Sequence, residues 1–137
     1  MIDVRNKMEI SVPRDHRVLV VDDSHDRLDW FQKYLGTAIC AETSEDAISL
    51  LTNKDTFDTV FLDHDAGCDV VDGKITFVTF MPVIEHLVAL GFDGDIVIHT
   101  GNIPAAQRIQ STLRYLGGTL TLAPYGTFYL KRSLKGE

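Results

Sequence analysis

The apolar positions of this chain change period repeatedly, and the changes mark its elements. Arg17-Val-Leu-Val-Val21 holds four consecutive apolar residues, mostly β-branched, the mark of a strand buried on both faces. Asp22-Asp23-Ser24 ends it and offers helix caps. From His25 to Leu35 the spacing widens to three and four, with Leu28, Phe31 and Leu35 on one helical face and Gly36 as the stop. A second strand is expected over 37–41. A helix follows from Thr43, whose spacing to Asp46 is that of a capping box, with Ala47, Leu50 and Leu51 on its apolar face. Asp58-Thr-Val-Phe-Leu62 predicts a third strand, ending in Asp63-His64-Asp65.

The stretch after the third strand is less regular. Residues 68–71 and 74–77 flank Asp72-Gly73, a pair suited to a two-residue type I′ hairpin turn. The rival reading is a loop followed by one long helix. Pro82 favours a helix that begins near Phe80 and runs through Ile84, Leu87 and Val88 to Gly91. Asp95-Ile-Val-Ile-His99 is the fourth strand. Asn102 and Pro104 open a helix that carries Ile109, Leu113 and Leu116 inward, and Gly117-Gly118 end it. The fifth strand is expected over 119–123, and a short basic helix over 128–134.

Buried strands alternating with amphipathic helices predict an α/β three-layer sandwich with a five-stranded parallel sheet. Its expected order is the flavodoxin-like 2-1-3-4-5, with a β-hairpin inserted after the third strand and lying over the site. Ligands in such sheets bind beyond the carboxyl ends of the strands where the order reverses, here between the first and third strands. The whole chain, 1–137, reads as one domain, with 1–14 as an N-terminal arm.

Composition narrows the function classes. The 13 Lys+Arg against 20 Asp+Glu give a net charge of −7, which argues against an extended nucleic-acid surface but not against a contact with one nucleotide end. No apolar run approaches a membrane span, and the polar start of the chain does not read as a signal peptide. Cys40 and Cys68 form neither a disulfide framework nor a zinc spacing, so the expected compartment is cytoplasmic.

The specific chemistry sits at the predicted carboxyl ends. Asp22 and Asp23 end the first strand, Asp63, His64 and Asp65 the third, and His99, Thr100 and Asn102 follow the fourth. Converging carboxylates repel unless protons or a cation neutralise them. A hard divalent cation, Mg²⁺ first with Mn²⁺ or Ca²⁺ as alternatives, is the expected cofactor, with Asp22, Asp23, Asp63 and Asp65 as its candidate ligands. His64 and His99 are candidates for general base and acid beside Asp63. Arg27, Thr100 and Asn102 are candidate phosphate binders, Asn102 at a helix start that offers amide donors. Adjacent strand residues point to opposite faces, so His99 and Thr100 share a pocket only if the strand has ended before them.

From Arg17 to about Leu134 the chain resembles the receiver domain of two-component response regulators. Asp22-Asp23 look like its acidic metal-binding pair, Asp63 like its phosphoacceptor and Thr100 like its switch hydroxyl residue. Receivers carry a Lys before the Pro after the fifth strand, and this chain has Ala123 before Pro124. The set of Asp22-Asp23, Arg27, Leu62-Asp63-His64-Asp65 and His99-Thr100 with Asn102 is similar to the cyclic-phosphate-processing receiver domain family. That resemblance implies metal-dependent processing of a cyclic phosphate on a nucleotide or RNA end, a small phosphate-containing ligand as partner, and any protein partner as a separate chain. The alternatives are a phosphoacceptor receiver module and a degenerate pseudo-receiver that acts through a protein partner.

Overall fold

The computed structural model describes residues 7–133. The first six residues of the expected arm, Leu134 at the end of the expected last helix, and Lys135 lie outside them. The strands are β1 (Met8–Pro13), β2 (Val18–Val21), β3 (Ile39–Ala41), β4 (Thr59–Leu62), β5 (Asp65–Val71), β6 (Lys74–Thr79), β7 (Asp95–Ile98), β8 (Leu120–Leu122) and β9 (Phe128–Ser133). The helices are α1 (His25–Leu35), α2 (Ser44–Leu50), α3 (Met81–Leu90) and α4 (Ile103–Leu113). A parallel five-stranded sheet runs β3-β2-β4-β7-β8. Among the described residues no helix is long and apolar enough to cross a membrane.

Strand alternation sorts the core onto two sides of this sheet. Leu19, Val21, Val60, Leu62, Ile96 and Ile98 pack with Ala47 of α2, Val83, Ile84 and Leu87 of α3, and Ala106, Ile109 and Leu113 of α4. Val18, Val20, Phe61 and Val97 face the other way, onto Leu28, Phe31 and Leu35 of α1. Local chemistry starts the helices where the sequence suggests. Ser24 accepts from the Arg27 amide, Thr43 from Asp46 and Asn102 from Ala105, each at an N-cap.

The expected C-terminal helix is instead β9, paired in parallel with β1 as a two-stranded ribbon, Met8↔Phe128 through Pro13↔Ser133. The period explains the correction. Phe128 and Leu130 are two apart and both buried, a strand spacing, and they join the α1 side of the core with Val12. Arg132, within the stretch expected as a short basic helix, donates to the carbonyls of Pro13 (2.9 Å) and Leu35 (3.0 Å) and to the Thr37 hydroxyl (3.0 Å).

β5 and β6 form an antiparallel hairpin closed at Asp72-Gly73, both with positive φ (51° and 73°) as a type I′ turn requires. The hairpin begins at the site, since Asp65 is three residues beyond the end of β4. Val70, Ile75 and Phe77 are 72%, 68% and 82% exposed, and they extend the ribbon into solvent.

Candidate functional site

The carboxyl ends of β2, β4 and β7 bring the sequence candidates together because parallel neighbours in register end together. The Asp63 amide donates to the Val21 carbonyl (3.0 Å) and the His99 amide to the Leu62 carbonyl (3.0 Å), which sets Asp22, Asp63 and His99 side by side. One ligand atom from each of these three lies within 4.8 Å of the others. A cleft of about 390 Å³ opens over them, lined by Asp23, Arg27, Asp63, Asp65, Gly67, His99, Thr100, Gly101, Asn102 and Tyr125.

Arg27 is the centre of the charge arrangement. It sits in the first turn of α1, and its guanidinium grips Asp22 with two bonds, Nε to Oδ2 at 2.7 Å and Nη2 to Oδ1 at 2.8 Å. The same Nη2 reaches Asp63 Oδ2 at 3.2 Å and lies 3.7 Å from Asp23 Oδ1. Part of the neutralising charge that the sequence reading gives to a metal is therefore supplied by the chain itself. Three carboxylates against one guanidinium still leave an excess of negative charge.

Asp22 is fully out of solvent. Burial alone would raise its pKa. The bonds from His99 and Arg27 outweigh that and hold its carboxyl at about 2. The bond to Asp22, favouring the charged form, raises the Arg27 pKa further above its usual range. Asp63 goes the other way: burial raises its pKa, and the Asp22 charge adds to that, against His99, the His64 amide and Arg27. Two carboxylates in contact with one cation thus have opposite tendencies, Asp22 to stay ionised and Asp63 to hold a proton.

His99 Nε2 lies 2.8 Å from Asp22 Oδ2, and its Nδ1 is buried without a hydrogen-bond partner. β7 ends at Ile98, so His99 and Thr100 escape strict alternation, and both line the cleft. Thr100 Oγ1 accepts from the Asn102 amide (3.1 Å), and the Asn102 side chain caps α4.

His64 is placed differently. It is 8% exposed, its Nδ1 meets Asp65 Oδ1 at 2.8 Å, and it is not among the cleft-lining residues. Asp65 lines the cleft, but it stands outside the close group of Asp22, Asp63 and His99. Sequence reasoning counted His99 as a proton carrier and missed that it joins Asp22. Spacing along the chain carries no sign of a bond between residues 77 positions apart.

The donor chemistry fits a divalent cation. Asp23 and Asp63 present carboxylates to the cleft, as hard cations require, and Asp22 and His99 complete a mixed oxygen and nitrogen set.

A family model described as the cyclic-phosphate processing receiver domain matches residues 17–115. No curated protein matches the chain. Among solved structures, the chain is similar to one titled as the yeast Spc42 trimeric coiled coil, amino acids 181–211, fused to another structure. The identity is 16% and the TM-score 0.52, with 82% of this chain and 71% of that chain covered. At that identity the likeness concerns the fold alone.

Proposed function

This chain belongs to the cyclic-phosphate processing receiver domain family, and from that premise we propose that its cleft binds a cyclic phosphate ester and opens the ring by hydrolysis. The substrate class is a cyclic phosphate on a nucleotide or RNA end. One observation carries the reading: Arg27 bridges Asp22 and Asp63 next to a buried Asp22–His99 pair, in a cleft that also holds Thr100 and the start of α4.

Arg27 and the Thr100 hydroxyl are the donors assigned to the phosphoryl oxygens, with Asn102 beside them at the start of α4. Asp23 and Asp63, with Asp22 and Asp65 beside them, are the residues that would hold a divalent cation, Mg²⁺ or Mn²⁺. Such an ion supplies polarisation of the phosphoryl group when bound. In hydrolysis, water adds its oxygen to phosphorus, one ring P–O bond breaks, and the leaving oxygen takes a proton. His99, held by Asp22 through Nε2 at the cleft wall, is the residue assigned to take the proton of the attacking water and return it to the leaving oxygen. His64 acts through Asp65 at the rim as a positioning residue.

A second reading, in which Asp63 accepts a phosphoryl group as in signalling receivers, is favoured by one feature. Arg27 Nη2, 3.2 Å from Asp63 Oδ2, offers a cation where Ala123 offers none. The two readings separate in one experiment. With Mg²⁺ or Mn²⁺, ³¹P NMR of a 2′,3′-cyclic nucleotide or a cyclic-phosphate RNA end should show conversion to a monoester, abolished by Asp63→Asn. An acid-labile aspartyl phosphate formed from acetyl phosphate, with no cyclic phosphate consumed, would replace the enzyme reading with the signalling one.

A further inference from the structure

One wall of the cleft lies outside the matched stretch of residues 17–115. Tyr125 lines the cleft and follows Pro124 at the end of the sheet. Its amide donates to the His99 carbonyl at 2.8 Å, which ties this turn to the segment that carries His99 and Thr100. Its ring meets Trp30 edge-on, 5.4 Å between centroids at 80°. The Arg27 guanidinium carbon lies 5.8 Å from the same ring centroid, within the reach of a cation–π contact. Trp30 in turn packs edge-on against the buried rings of Phe31 (5.1 Å) and Phe128 (5.6 Å). A continuous aromatic path thus runs from the α1 side of the core to the guanidinium.

An arginine on a long stem loses rotamer freedom when it is fixed, and each contact that narrows its choices lowers that cost at binding. The carboxylates grip Arg27 at its Nε and Nη2 atoms, and the Tyr125 ring is the apolar surface against it. We infer that Tyr125, backed by Trp30, is a positioning residue that holds Arg27 in the setting where it bridges Asp22 and Asp63 and receives a phosphoryl group. The inference rests on the proposed binding of phosphate esters in this cleft, and it assigns a function to a residue beyond the family match.

The test uses the full chain, ¹⁵N-labelled, with two readouts. The first is the Nε–H signal of Arg27, assigned by its loss in Arg27→Lys. The second is affinity for inorganic phosphate with Mg²⁺ present, followed through the fluorescence of Trp30, the single tryptophan. Tyr125→Phe keeps the ring face and should retain both the signal and the affinity. Tyr125→Leu should broaden or shift the signal and weaken phosphate about five- to thirtyfold, the loss expected for a partly desolvated cation–π contact. Tyr125 is 39% exposed, so both variants should fold, with thermal melting as the control. Should Tyr125→Leu melt early, Tyr125→Gln is read by the same two measures. A ring-free variant that folds with wild-type Arg27 signal and affinity would overturn the inference, and so would a Tyr125→Phe variant as impaired as Tyr125→Leu. If the wild type binds no phosphate at all, the proposed function fails, while the Arg27 signal still decides whether Tyr125 positions the guanidinium.

Discussion

His99 Nε2 and Asp22 Oδ2 stand 2.8 Å apart with both side chains completely withdrawn from solvent. The same carboxylate oxygen receives Arg27 Nε, and the other receives the Ser24 amide and Arg27 Nη2. Asp22 is therefore the hub that fixes the loop after β2, the start of α1 and the loop after β7. Removing one member of a buried charge network leaves the remaining charge unpaired, which typically costs about 3–5 kcal/mol. Asp22→Ala is expected to lose about that much in urea unfolding. Asp23→Ala, which removes a half-exposed carboxylate 3.7 Å from Arg27, should change stability by less than about 1 kcal/mol.

The opposed tendencies of Asp22 and Asp63 predict the acid behaviour in chelator. The Asp22 carboxyl falls from 3.8 unfolded to about 2 folded, so its stabilising contribution is complete above pH 3.8 and is lost as pH drops toward 2. That difference corresponds to roughly 2 kcal/mol. Asp63 has the reverse sign: its raised folded pKa makes the ionised form a burden at neutral pH, relieved as acid protonates it. Asp63→Asn should therefore raise the melting temperature at neutral pH in chelator. Melting curves across the acid range check both signs, and an Asp63→Asn variant less stable than wild type in chelator would contradict the second.

Divalent cation reverses that ranking. A ligand bound only by the folded state stabilises it by mass action, by about 2.7 kcal/mol at a hundredfold excess over Kd. Millimolar Mg²⁺ or Mn²⁺ should raise the melting temperature of the wild type and barely move Asp63→Asn. Arg27→Ala should strengthen the metal response, since it removes a cation 3.2 Å from Asp63. Equal responses in wild type and Asp63→Asn would exclude Asp63 as a ligand.

Much of the fold was legible in the sequence because hydrophobic period and caps are local signals. The five apolar runs of the parallel sheet, the Ser24, Thr43 and Asn102 caps and the Asp72-Gly73 turn were each visible within a few residues. What failed was non-local. Phe128-Tyr-Leu-Lys-Arg-Ser133 is short and basic and was read as a helix, whereas β1, more than a hundred residues earlier, supplies a parallel partner. The site was legible as a set of residues at strand ends. Its bonding was not, because the register between β2, β4 and β7 decides that His99 meets Asp22 and that Arg27 reaches Asp63.

The amino-terminal edge of the sheet depends on two glycines. A Cβ at Gly118 would collide with the Gly94 carbonyl oxygen, and one at Gly94 would come within 2.5 Å of the Asp58 carbonyl oxygen. Both obstacles are backbone, so neither can swing aside. Gly118→Ala and Gly94→Ala should each cost about 1–3 kcal/mol, the usual penalty for overpacking. At Gly117 the nearest atom to a Cβ is 3.8 Å away, an ordinary contact, and Gly117→Ala should stay within about 0.5 kcal/mol of wild type.

The two histidines nearest Asp63 are expected to separate in kinetics. His99 lines the cleft and is held by Asp22, whereas His64 faces Asp65 and lies outside the lining. Glutamine is the informative replacement because its amide can still donate to the carboxylate while it can neither accept nor release a proton near neutral pH. General acid or base groups typically contribute about 10²–10⁴-fold to rate. His99→Gln should therefore lose about that factor in kcat toward a cyclic phosphate. His64→Gln should lose less than about tenfold, and mainly in KM, because its partner Asp65 borders the bound ligand without joining Asp22, Asp63 and His99. Equal losses in kcat from the two variants would place His64 in the chemistry as well. Wild-type turnover in His99→Gln would remove the Asp22–His99 pair from the mechanism.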